Sequence, residues 1–231
     1  MTVSKSIGLT GNKLKIIAML SMLIDHVGVE LFPGVIIFRI IGRLALPIFA
    51  YMIAEGCQYT RNRLRYLGTV AGLGLLCQAV FYAAERSLYM GILITFALSI
   101  TFIFSVDFYI KRKTAASFTV AAAGVLFVLF AVFAAPAIFK TQGYCVDYGA
   151  LGVFLPIAVY YVRGKAAKLT AAFTVLTVMA YFSGAVQWFA LLAIPLLALY
   201  NGKRGKYNLK YMFYIFYPTH LAAIYLIGLL I

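Results

Sequence analysis

TAASFTVAAAGVLFVLFAVFAAP, residues 114–136, contains no charged side chain. As an α-helix it would run roughly 34 Å, slightly more than the ~30 Å hydrocarbon core of a bilayer. Lys111, Arg112 and Lys113 precede it and Lys140 follows, so polar ends bracket an apolar middle. The rest of the 231-residue chain has the same character: 65% hydrophobic, 16% aromatic and only 11% charged. A soluble domain holds roughly 45–50% apolar and about 25% charged residues, and has too little interior to hide so much apolar surface. Disorder is excluded by the abundance of apolar side chains, and a disulfide scaffold by the presence of only three cysteines. The chain reads as an all-α, polytopic transmembrane helical bundle.

Outward from this stretch, apolar runs define nine expected spans, at about 15–32, 35–56, 66–84, 88–110, 114–136, 148–162, 168–183, 185–200 and 210–230. Those at 148–200 are short, and two of them could merge into one tilted or re-entrant element. The net charge of +14 would suggest nucleic acid in a soluble protein, but its distribution argues otherwise. Alternate segments carry 16 of the 20 positive charges: Lys5, Lys13 and Lys15; Arg61, Arg63 and Arg65; Lys111, Arg112 and Lys113; Arg163, Lys165 and Lys168; Lys203, Arg204, Lys206 and Lys210. The intervening turns hold two, Arg86 and Lys140. This bias expects a cytoplasmic amino terminus, an extracytoplasmic carboxyl terminus and no nucleic-acid partner. The first span is not expected to be a cleavable signal, since it is long and contains Asp25 and His26. No internal repeat or linker divides the chain, so residues 1–231 are expected to form one domain. Cys57, Cys77 and Cys145 fall at three depths unsuited to pairing.

Arg39 and Arg43 lie inside the second span, where an ionisable group costs a few kcal/mol and marks a candidate site. Counting about 1.5 Å per residue, Asp25 and His26 sit roughly 15 Å above the inner end of the first span. Arg43 sits roughly 13 Å below the outer end of the second, and His220 roughly 15 Å into the last. Both histidines, an aspartate and an arginine therefore converge in level. Asp25 facing Arg43 is the expected ion pair between two spans joined by a tight turn. It could be a plain helix–helix staple, or it could tune a His26 that handles protons near neutral pH. A metal is not expected, because no cysteine or second carboxylate shares that level. Glu55 at the inner end of span two is a further candidate, and so is Tyr217 beside Pro218-Thr219-His220. Glu30, Glu85, Asp107 and Asp147 read as solvated edge residues.

Several words then recur in order: Leu14-Lys15-Ile16-Ile17-Ala18, Ile24-Asp25-His26, Ile41-Gly42-Arg43-Leu44-Ala45-Leu46-Pro47-Ile48-Phe49-Ala50, and Glu55-Gly56 with Thr60-Arg61-Asn62 and Tyr66. They are followed by Asp147-Tyr148-Gly149-Ala150-Leu151-Gly152-Val153, Tyr200-Asn201-Gly202-Lys203-Arg204-Gly205 and Phe213-Tyr214-Ile215-Phe216-Tyr217-Pro218-Thr219-His220-Leu221. The chain resembles the TraX family from about residue 13 to 230. That family is named for a conjugation protein associated with amino-terminal acetylation of pilin, and is similar to the wider group of transmembrane acyltransferases. In polysaccharide acetylases of that group a basic residue precedes a catalytic histidine by eleven positions, as Lys15 precedes His26. The resemblance implies His26 as general base, with Asp25 or Arg43 holding its tautomer or stabilising developing charge. Not every arginine motif of the larger group has a counterpart here, and nothing in the chain points to a pilin acceptor.

The expected function is an integral-membrane acetyltransferase of a prokaryotic cytoplasmic membrane. Acetyl-CoA would be the cytoplasmic donor, and Lys15, Arg61, Asn62, Lys203 and Arg204 are the candidate donor contacts. The acceptor, a glycan, peptide amine or small molecule, is left open. A different class is a proton-coupled transporter or flippase in which Asp25, His26, Arg43 and His220 form a relay. A third is a non-catalytic membrane subunit whose polar cluster fixes helix packing.

Overall fold

The computed structural model describes residues 8–207, 209–228 and 230, so Lys5 lies outside the described residues. Helices follow one another along the chain: α1 Gly11–Glu30, α2 Ile36–Gly42, α3 Ala45–Tyr59, α4 Arg63–Glu85, α5 Ile92–Arg112 and α6 Ala115–Leu129. After α6 come α7 Ala135–Ile138, α8 Gly149–Tyr161, α9 Lys165–Ser183, α10 Ala193–Ala198 and α11 Lys210–Gly228. Five helical stretches are long and apolar enough to cross a membrane: 36–59, 63–85, 92–112, 115–138 and 165–183. Helix α1 is set apart by Lys13, Lys15, Asp25 and Glu30, and three further apolar helices are shorter. Every expected span thus coincides with helix, and the chain is a helical membrane protein. On α4 and α6 large apolar side chains such as Leu75, Val80, Leu126 and Phe127 face outward, an arrangement suited to lipid and hostile to water.

The described residues form two compact units, one of 1–52 with 164–231 and the other of 53–163. In the first, the start of α1 is clamped by the segment that follows α10. Leu9 N–H donates to the Leu199 carbonyl at 2.8 Å, and Asn201 N–H returns a bond to the Leu9 carbonyl at 2.9 Å. Gly11 and Asn12 N–H donate to the carbonyls of Lys203 (2.8 Å) and Arg204 (2.9 Å). The orphan donors of a helix N-terminus are thereby satisfied by a neighbouring loop. The Asn12 amide adds a bond to the Tyr207 carbonyl at 2.7 Å. Leu14, Ala18, Ile48, Leu176, Met179 and Leu197 form its core.

Two prolines reshape the helices near them. Span two is broken at Arg43–Leu44, where the Arg43 N–H is shared between the Arg39 (3.2 Å) and Ile40 (3.3 Å) carbonyls and the Leu44 N–H bonds three residues back, to Ile41 at 3.2 Å. Pro47 lacks the N–H that would bond the Arg43 carbonyl, so the turn tightens there and α2 and α3 separate. A widened π turn, Phe130–Ala134, lies just before Pro136 for the same kind of reason. The segment 185–200, expected as a short helix, begins as an eight-residue 3-10 helix, Ala185–Leu192. A 3-10 turn rises about 2.0 Å per residue, so the stretch through α10 reaches roughly 25 Å, about 4 Å beyond an α-helix of that length. Its threefold repeat stacks Gln187, Ala190 and Ala193 on one buried edge.

In the second unit α5 is the central element, and small polar residues tie it to its neighbours. Ser99 Oγ donates to the Val153 carbonyl on α8 at 2.8 Å, and Thr95 Oγ1 to the Asp147 carbonyl at 3.0 Å. Gly124 of α6 lies so close to Ser105 that a Cβ would come within 2.6 Å of its side chain. A pair of two-residue parallel strands, β1 Tyr89–Met90 and β2 Cys145–Val146, joins the loops before α5 and α8. The three cysteines are free.

Candidate active site

The site is built on consecutive residues of α1. Neighbouring side chains on an α-helix point about 100° apart, so Asp25 and His26 meet different elements. Asp25 faces α2. Its Oδ2 pairs with Arg39 Nη1 at 2.9 Å and its Oδ1 with Arg43 Nη2 at 3.4 Å. Arg39 and Arg43 are four residues apart on one face, which lets both reach a single carboxylate. Gly42 makes the approach possible, because a Cβ there would overlap the Asp25 carboxylate. Gly28 likewise admits Phe38 of α2 against α1.

Arg43 also donates from Nη1 to Gln187 Oε1 at 3.1 Å, while Gln187 Nε2 faces Met179 Sδ at 3.3 Å. Gln187 is 4% exposed, and its carbonyl end is fixed toward the guanidinium. Sequence reasoning missed this residue, although an amide in so apolar a segment was the available signal. The Asp25–Arg43 pair is present, but Arg39 makes the shorter contact.

His26 turns instead toward α11. Its Nδ1 lies 2.9 Å from His220 Nε2, and His220 Nδ1 lies 2.8 Å from the Phe216 carbonyl oxygen. A carbonyl only accepts, so neutral His220 carries its proton on Nδ1 and offers a bare Nε2. His26 must then donate from Nδ1, which leaves the lone pair on His26 Nε2. Among the described residues no side chain pairs with that nitrogen. His220 is 5% exposed and held between Phe216, stacked at 4.6 Å, and Tyr217, edge-on at 5.6 Å. The tautomer of His26 is therefore set by His220, where Asp25 or Arg43 had been expected to hold it.

Of the other expected site residues, Lys15, Lys203 and Arg204 belong to the same unit. Lys15 Nζ lies 5.3 Å from the centre of the Phe213 ring and within electrostatic reach of Arg204. Lys203 and Arg204 are exposed, and their carbonyls hold the start of α1. Lys15 is eleven residues, or roughly 16 Å along the helix, from His26. Arg61, Asn62 and Glu55 belong to the second unit. Asn62 Oδ1 accepts Arg65 N–H at 2.9 Å and caps α4, Arg61 is exposed beside it, and Glu55 is buried on α3.

Of the acids read as solvated, Asp107 is buried, and Asp147 is half-buried and paired. Asp107 is buried and its Oδ2 accepts from Arg63 Nη2 and from the Tyr160 hydroxyl, both at 2.6 Å. The Arg63 guanidinium also lies over the Phe104 ring at 4.9 Å. Asp147 Oδ1 accepts the Tyr89 hydroxyl at 2.6 Å. Burial first, and then that carboxylate, hold the Tyr89 phenol above its usual pKa range. Both acids stand next to a phenol that only folding brings to them. Glu30 and Glu85 are exposed, as expected. Among the described residues no three His, Cys, Asp or Glu side chains gather as a metal site.

No solved structure matches the chain. It is 27% identical over 248 aligned positions to the probable fimbrial assembly protein FimC, serogroup H1, of Dichelobacter nodosus, covering 96% of each chain. A 38-residue stretch is 50% identical to an uncharacterized protein of Rickettsia prowazekii (strain Madrid E), 16% of this chain and 15% of that one. The family model described as TraX protein matches residues 10–228, nearly the whole length, and the chain belongs to the TraX family.

Proposed function

We propose that the protein is an integral-membrane acyltransferase of the prokaryotic cytoplasmic membrane, taking an acetyl group from cytoplasmic acetyl-CoA. The observation that carries this reading is the ordered chain from the Phe216 carbonyl through His220 to His26, which leaves a lone pair on His26 Nε2. In the proposed step an acceptor hydroxyl or amine attacks the thioester carbonyl as His26 takes its proton. The new C–O or C–N bond forms and the C–S bond breaks. The departing thiolate recovers the proton from His26, so the step closes without a further reactant. The imidazolium passing through this cycle is steadied by His220, and the carbonyl oxygen that becomes negative is served by the guanidinium charge beside it.

The donor's anionic nucleotide end would lie on Lys15, Lys203 and Arg204, with its pantetheine arm spanning the ~16 Å to His26. The nine-span arrangement, with a cytoplasmic amino terminus, puts those cations on the donor's side. A relative named for fimbrial assembly suits an acceptor assembled at the cell surface, whether a glycan or a peptide amine.

The second reading is proton-coupled transport, favoured by the 2.9 Å contact between two histidines, which is also a proton path. Purified wild type and His26→Ala in nanodiscs separate the two. Acyl transfer expects wild type to bind and slowly hydrolyse acetyl-CoA, with His26→Ala at least ~100-fold slower and equally well folded. Absence of acetyl-CoA binding and turnover in folded wild type would overturn the enzyme reading.

A further inference from the structure

Three helix ends of the second unit meet at Asp107. Arg63 at the start of α4 and Tyr160 in the last turn of α8 both reach its Oδ2 at 2.6 Å, and Asp107 itself lies in the last two turns of α5. Helices α4 and α5 are each long and apolar enough to cross a membrane, so the ends that meet here lie at headgroup level. Seven Lys and Arg occupy this end, at 61–65, 111–113 and 163, against two carboxylates, Asp107 and Glu55. The unit's other acids belong to its far end: Glu85 closes α4, roughly 33 Å from Arg63, and Asp147 precedes α8. With both nearby carboxylates fully used, five positive charges at this end stay unbalanced. Lys111 stands one turn beyond Asp107 on the same face of α5, Arg163 three residues beyond Tyr160, and Arg61 two residues before Arg63. All three are exposed, and among the described residues none has a side-chain hydrogen bond or ion pair. Helix α4 has no acid in its first turn, so the positive end of its dipole adds to them. Orientation in a membrane needs only a number of cations on one side. It does not need them gathered where three helices meet, at the edge of an apolar core that screens their repulsion poorly.

Exposed apolar side chains adjoin these cations. Leu64, 82% exposed, follows Arg63, Ile110 precedes Lys111, and Tyr161 lies two residues before Arg163. A soluble phosphate has no use for such a collar, whereas a phospholipid carries both a phosphate and the chains to cover it. We propose that this end of the second unit binds an anionic phospholipid, its phosphate held by Arg61, Lys111 and Arg163 and its acyl chains lying against Leu64, Ile110 and Tyr161. Arg61, expected as a donor contact, serves lipid instead. The site contains neither His26 nor His220, so it stands whether or not the acyltransferase reading does.

The full chain is delipidated in nonionic micelles and offered equal amounts of phosphatidylglycerol and phosphatidylcholine with identical acyl chains. Native mass spectrometry counts each bound lipid by its mass. Wild type is expected to retain phosphatidylglycerol over phosphatidylcholine by about tenfold or more. Lys111→Gln with Arg163→Gln leaves the Arg63–Asp107 pair intact and should lower the preference below about twofold. Lys111→Arg with Arg163→Lys should keep it. Arg86→Gln with Lys140→Gln removes the same charge from the opposite end of the unit and should leave the preference unchanged. Circular dichroism checks that each variant is folded, and Arg61→Gln, a single exposed loop change, should lower the preference about threefold. Equal retention of the two lipids by wild type overturns the proposal. So does an undiminished preference in Lys111→Gln with Arg163→Gln, or an equal loss in the charge-matched pair. Displacement of phosphatidylglycerol by glycerol phosphate or acetyl-CoA at the same concentration also overturns it, because the cations then serve a soluble phosphate.

Discussion

Asp25 and Asp107 are both aspartates on apolar helices, paired with arginine from another helix, and the contrast between them separates chemistry from stapling. Asp107 sits in a closed arrangement. One arginine balances its charge, the Tyr160 hydroxyl fills a further lone pair, and Phe104 covers the guanidinium. Asp25 sits in an open one, with two arginines for one carboxylate. The next residue along α1 belongs to a histidine pair whose outer nitrogen is left available. A one-to-one pair holds three helices together, whereas a carboxylate shared by two arginines lies next to the histidine on which the proposed chemistry rests. Residue type does not make this distinction. The count of partners around each carboxylate does.

The comparison can be broken most sharply at His220. His220→Ala should slow acetyl-CoA turnover on the order of 100-fold, because His26 then loses the acceptor that fixes its tautomer. The pH–rate profile should shift along with it, whereas a purely structural role would leave the profile of the folded fraction unchanged. Asp107→Asn is the matching test on the closed side. It should cost about 2 kcal/mol in a detergent unfolding assay, below the range for fully buried pairs because Arg63 is 30% exposed. Acetyl-CoA binding by the folded fraction should persist. A change that removes both charges, Arg63→Met with Asp107→Leu, should recover most of the stability if the pair is only a staple. The smallest effect is expected at Asn62. Losing its cap on α4 through Asn62→Ala should cost about 1 kcal/mol, with acetyl-CoA affinity unchanged. A tenfold weaker affinity in a binding titration would instead make it a donor contact.

Much of this was legible in the residues. Apolar length over a ~30 Å bilayer core permits little besides helices, so each expected span coincides with helix. The scarcity of charge made Asp25, Arg39, Arg43, His26 and His220 conspicuous. Less legible were the interruptions, because Pro47 and Pro136 announce only that a hydrogen bond is missing. Whether the chain tightens, as at Arg43–Leu44, or widens, as at Phe130–Ala134, depends on packing. Asp107 was misread because loop-edge acids are usually solvated, and its partners Arg63 and Tyr160 are 44 and 53 residues away.

The sequence by itself determined the class of solvent, the helical content and the level at which polar side chains lie, since each depends on composition and rise per residue. Tertiary structure decided which partner each polar group took. Asp25 and His26 are adjacent in the chain, yet the turn of α1 sends one to Arg39 and Arg43 and the other to His220. Rotation about a helix axis is set by what packs on every side of it, and one segment read alone cannot supply that.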